Sequence, residues 1–179
     1  MDIKGFGTVY IEELVRLGYI NNVADVFVLK THRDELIDQG IIGKEKNTDK
    51  LLDAIEKSKQ NEAFQLLTGF GIPNVGKAAA KTILKHFGSI EALMQADMES
   101  LQQIADVGEV TALCIRNYFQ DENNCKIIER LKEAGVNMEM AESGSEDGRF
   151  DGVTFVITGT LPTMERKAAA ALIEAHGGK

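Results

Sequence analysis

Tryptophan is absent from this 179-residue chain, and cysteine and proline occur only twice each. Cys114 and Cys125 lie eleven apart, which excludes both the Cys-x-x-Cys spacing of a zinc ribbon and a disulfide scaffold, so they read as reduced thiols. The three histidines, His32, His86 and His176, are scattered and fall in no His-Glu-x-x-His pattern, so no metal site is expected. Aromatics make up 6%, which with so little proline speaks against a β-sandwich, whereas abundant Ala, Leu, Ile and Glu favour packed helices. No apolar run approaches the roughly 18 residues needed to span a bilayer, and the first twenty residues lack a basic segment followed by an apolar one. A cytosolic, mostly α protein with no membrane partner is expected.

Acids are also missing, but only locally. The net charge is −8, which taken globally argues against nucleic acid, since phosphate contact normally comes from Lys and Arg. Acids and bases number 12 and 9 over residues 1–62, 0 and 3 over 63–90, 14 and 5 over 91–151, and 2 and 3 over 152–179. The acid-free stretch places Lys77, Lys81 and Lys85 at i, i+4 and i+8, on one helix face. A plain solvated face is the alternative reading of those lysines.

What the chain does contain is a repeat. An apolar-Gly step recurs at Phe6-Gly7, Ile42-Gly43, Val75-Gly76 and Val107-Gly108, with spacings of 36, 33 and 32 residues. A regular period means one supersecondary unit used repeatedly. A glycine turn feeding a helix leaves backbone N–H groups without partners, where a phosphate can bind.

Each unit reads as helix, turn, helix. The third is the best formed: Ala63 to Phe70, a turn through Gly71-Ile72-Pro73-Asn74-Val75-Gly76, and a helix from Lys77 closed by Gly88. The fourth joins Met98–Ile104 to Glu109–Phe119 through Ala105-Asp106-Val107-Gly108, with acids that weaken it as a phosphate binder. The second starts with Thr31 and Asp34 as a capping box and turns at Gln39-Gly40-Ile41-Ile42-Gly43-Lys44, which reads as long or loose. The first opens at Ile3-Lys4-Gly5-Phe6-Gly7 with no residues upstream for a leading helix, so a longer parent chain is expected.

One helical domain over residues 1–138 is expected, then a small, polar, acidic linker over 139–149. The period then changes. Val153-Thr154-Phe155-Val156-Ile157-Thr158 is a β-branched run ended by Gly159, and Met164 to Ala175 is Ala-rich and helical. Residues 150–179 therefore read as an incomplete α/β strand-helix unit, too small for its own core.

The turns resemble the helix-hairpin-helix motif, whose hairpin typically reads Gly-apolar-Gly. Gly5-Phe6-Gly7 matches fully; Asn74-Val75-Gly76-Lys77 and Asp106-Val107-Gly108 replace the first glycine by Asn or Asp, the residues next most tolerant of positive φ. Ile42-Gly43 departs most. A tetratricopeptide-type solenoid has a similar period but puts nothing special at its turns. With the linker, the Phe150–Leu161 segment and Gly177-Gly178-Lys179, the order of parts resembles the C-terminal part of bacterial NAD-dependent DNA ligases, in which the last piece begins a BRCT domain. An excision-repair nuclease and a protein-binding helical scaffold are the other readings.

That resemblance implies four tandem hairpin units that hold duplex DNA, as a monomer, at nicks sealed during replication and repair. It implies contacts from Lys4, Gly5, Gly7, Gly43, Lys44, Asn74, Gly76, Lys77, Lys81 and Gly108, with the first and third turns better suited than the others. It also implies a phosphate pocket at Thr158, Gly159 and Arg166, for which an ordinary strand-to-helix turn is the alternative. The family's Lys-x-Asp-Gly motif, which takes AMP from NAD, is missing, as are its zinc-binding cysteines. NAD, Mg and Zn would thus belong to the parent protein, and these residues would bind DNA without catalysing ligation.

Overall fold

A computed structural model describes residues 1–140, 150, 153–157, 166–176 and 178. These divide into two compact units, Met1–Met140 and Ala141–Lys179. The first unit is helical. In chain order it contains α1 (Thr8–Arg16), α2 (Val23–Val26), a 3-10 turn (Leu29–His32), α3 (Arg33–Asp38), α4 (Glu45–Ser58), α5 (Ala63–Gly69), α6 (Lys77–Phe87), α7 (Ile90–Met94), α8 (Met98–Gln102), α9 (Glu109–Gln120) and α10 (Glu122–Glu133).

The helix pairs α3–α4, α5–α6 and α8–α9, each joined by one of the glycine turns, pack against one another. In α6, Ala78 to Ala80 are strong helix formers, and Ala80, Ile83 and Leu84 recur at helical spacing on the buried face. Gly88 at φ +78° ends the helix in a conformation costly for other residues. Burial of Ile83 and Leu84, both fully inaccessible, contributes roughly 1.5–3 kcal/mol each before entropic costs. One apolar core runs from Leu14 through Leu67 and Ile115 to Met138.

The end of the unit is tied back to its middle. Ile90 N–H donates to Met138 O at 2.9 Å, Met140 N–H to Gly88 O at 2.8 Å, and Asn137 N–H to Lys59 O at 2.8 Å. Glu139 and Met140, expected in the linker, thus take part in backbone pairing with the third unit, while 141–149 lie outside the described residues.

Two local expectations need correction. Thr31 does not cap a helix: it lies in the 3-10 turn, its hydroxyl donates to Val28 O at 2.8 Å, and α3 starts at Arg33 with His32 as its N-cap. The capping box of this region is Asn22 with Asp25, at the start of α2. In the second unit, residues 153–157 form no strand among the described residues, none of which pairs with them in a ladder as an isolated strand would need. The helix that follows, α11 (Arg166–Ala175), is present.

Candidate nucleic-acid interface

Three of the four turns share one backbone pattern. Phe6 N–H donates to Ile3 O at 3.2 Å, Val75 N–H to Ile72 O at 3.0 Å, and Val107 N–H to Ile104 O at 3.1 Å. The residue before each apolar donor has positive φ: Gly5 at +82°, Asn74 at +65° and Asp106 at +66°. This is the type II pattern, which needs a left-handed residue at its third position and therefore selects Gly, Asn or Asp there. The apolar residue turns inward; Val75 and Val107 are buried, and Phe6 packs against the core.

The next residue in each turn is the glycine, and it is the N-cap: Gly7 for α1, Gly76 for α6 and Gly108 for α9. Their φ values lie near −80°, and a Cβ added at any of them would meet no atom within 4 Å. Neither backbone strain nor crowding inside the chain calls for glycine there. Four other helices are capped by side chains: Asn22, Ser89, Asp97 and Asp121 each accept from an amide of the first turn, while the N-caps of α3, α4 and α5, His32, Lys44 and Glu62, make no such bond. At the three hairpin helices no side chain does so. The amides of Gly7, Thr8 and Val9, of Gly76, Lys77 and Ala78, and of Gly108, Glu109 and Val110 have no acceptor among the described residues. Each set forms an exposed, partly positive terminus that can accept an oxyanion at backbone distance.

The second turn is built differently. Its third position is Ile41, whose β-branch opposes positive φ, and the left-handed conformation falls on Gly40 at +66° and Gly43 at +111° instead. Gly43 is consequently not the N-cap; Lys44 is. A Cβ on Gly43 would come within 3.1 Å of Asn47 Nδ2.

The expected basic residues separate by environment. Lys4, Lys44 and Lys77 are exposed beside their turns. Lys81 is half-buried, with its ammonium 5.9 Å from the centre of the Phe64 ring, so α6 directs it toward α5. At the fourth turn, Asp106 and Glu109 flank Gly108 with no base between them. Arg166 is exposed at the start of α11; Thr158 and Gly159 lie outside the described residues. The shared isoleucine three residues before each inward apolar residue escaped the sequence reading, although Ile3, Ile72 and Ile104 stand at fixed distance from the glycine.

Comparison with known proteins agrees with this geometry. Residues 65–128, which hold the third and fourth turns, match the family described as helix-hairpin-helix motif. Proteins named DNA ligase from Clostridium kluyveri, Desulforamulus reducens and Brevibacillus brevis are 46%, 44% and 43% identical to this chain. Each alignment covers 100% of this chain but 27% of the relative, so the chain spans about a quarter of the length of these proteins. Over its whole length, therefore, this chain is related to one segment of the DNA ligases, and a helix-hairpin-helix motif lies at the centre of that segment.

Proposed function

We propose that this chain is the DNA-gripping region of an NAD-dependent DNA ligase that seals nicks in duplex DNA during replication and repair. The observation that carries the reading is the trio of N-cap glycines that the fold itself does not require. Each leaves a helix terminus uncapped and uncovered, as an approaching phosphate needs and as a free-standing helix does not. Affinity from such amides is independent of base sequence. Three of them on a chain of net charge −8 divide the grip among several weak points rather than one basic patch. The contacts proposed are Gly5, Gly7, Asn74, Gly76, Lys77 and Gly108, with Lys4 and Lys44 beside them.

The chemistry is proposed to reside in the rest of the longer protein. NAD, Mg and Zn belong there in this reading; among the described residues no group of three His, Cys, Asp or Glu is placed to hold a metal ion. The chain alone is proposed to be monomeric, cytoplasmic and unable to ligate. No helix among the described residues is long and apolar enough to cross a membrane.

Gly76→Ser tests this directly. A serine there supplies the missing cap, so the variant should melt at the same temperature or slightly higher while its affinity for a nicked duplex falls, measured by fluorescence anisotropy at about 50 mM salt. Unchanged affinity would sink the reading.

A further inference from the structure

The second hairpin lacks the type II turn, yet the helix it launches borders a groove of about 950 Å³ between α4 and the N-terminal turn. Four lysines line that groove: Lys4 from the first turn and Lys46, Lys50 and Lys57 from α4. Four acids line it as well, which would make it neutral. They are not equivalent, because Arg33, which does not line the groove, holds two of them.

Arg33 donates to Asp49 at 2.6 and 2.9 Å and to Glu45 at 2.9 Å. Its guanidinium keeps the Asp49 carboxyl below the usual carboxylate range. None of the four lysines has an ion-pair partner among the described residues. Four uncommitted ammonium groups therefore face only two uncommitted carboxylates, Asp2 and Asp53. Lys46 and Lys50 are one turn apart on α4, and Lys57 lies further along the same helix.

We infer that the α4 groove is a second binding track for the phosphate backbone of duplex DNA, in which Lys46, Lys50 and Lys57 replace the amide grip that the second hairpin does not make. The track continues from the first turn through Lys4, which sits between Ile3 and the left-handed Gly5. Arg33 acts as a positioning residue: by holding Glu45 and Asp49 it ties both carboxylates to one guanidinium and offsets part of the negative charge that would compete with phosphate. This rests on the proposal that the chain binds DNA.

The test is a salt titration of affinity for a nicked duplex, from about 50 to 200 mM, using the full chain. Lys46→Gln with Lys50→Gln should lower the slope of log affinity against log salt by about two units and weaken binding several-fold at the low-salt end. Lys126→Gln, a single Lys→Gln change on α10 outside the groove, should leave the slope where it is, whereas Lys50→Gln alone should lower it by about one unit. Arg33→Gln should weaken binding without touching the groove lysines, and its melting curve shows whether the fold is intact. If the wild-type chain binds with a measurable slope and the double variant matches it, the α4 track is wrong and the hairpin reading survives. If the wild-type chain shows no salt-dependent binding, both fall.

Discussion

Arg130 of α10 donates to Asp25 Oδ1 at 2.6 Å, pairing two residues 105 positions apart in the chain. The other oxygen of the same carboxylate accepts the amides of Asn21 and Asn22 at 2.8 and 3.0 Å. A residue that caps α2 is thereby also the anchor of the last helix of the unit.

Burial by itself would raise the Asp25 pKa, but the Arg130 hydrogen bond, the two amides and the Arg130 charge outweigh it and hold the carboxyl below the ordinary range. A depressed folded-state pKa contributes stability above the unfolded value, near 3.9, and that contribution is lost as pH falls through the folded value. Arg130→Gln should therefore lower stability at pH 7 by about 1 kcal/mol, a figure kept small because the arginine side chain is 45% exposed. Urea unfolding of the two proteins should show curves that separate at neutral pH and converge toward pH 2.

Among the three helices with a glycine N-cap, α1, α6 and α9, Lys77 is the one basic residue in a first turn. Lys77→Ala should reduce the salt slope of DNA binding by about one unit and leave the melting temperature nearly unchanged. A parallel loss at every salt concentration, with the slope retained, would count against a direct phosphate contact.

Asn74 and Asp106 hold left-handed backbone that a β-branched residue resists. Asn74→Val should destabilise the chain by about 1–2 kcal/mol, whereas Asn74→Gly should be close to neutral. Asp106→Gly keeps the turn and removes a charge beside Gly108, so it should preserve stability and strengthen DNA binding. Chemical denaturation paired with anisotropy reads both effects.

Leu84, on the buried face of α6, has no exposed surface and is in contact with the apolar core. Truncation to alanine removes that contact and leaves a cavity, so Leu84→Ala should cost about 2–5 kcal/mol. Denaturant midpoints measured by circular dichroism check it, and DNA affinity should recover where the variant is kept folded.

The hairpins were legible because their chemistry is local. Positive φ is cheap for Gly, Asn and Asp and costly for Ile, so Gly5, Asn74 and Asp106 announce three turns and Ile41 announces that the second differs. The helix after each turn follows from apolar spacing, and the side chains flanking each glycine separate the basic third turn from the acidic fourth. Short elements were not legible: α2 and the 3-10 turn span four residues each, too few for any period to show. The Thr31 cap failed for a related reason, since a hydroxyl beside a 3-10 turn has a nearer carbonyl to bond.

The candidate site divides along the same line. Backbone preferences act over four or five residues, so the chain's own order of residues determines where amides are left open and which helices lack a cap. Charge balance acts through space. Only folding brings Arg33 onto Asp49 and Glu45, turns Lys81 over Phe64 and sets Lys4 at the mouth of the α4 groove, and these placements decide which lysines remain available to a phosphate. The period of glycines prescribes the architecture by local sterics, while the balance of attraction at its surface comes from residues that meet only in the packed protein.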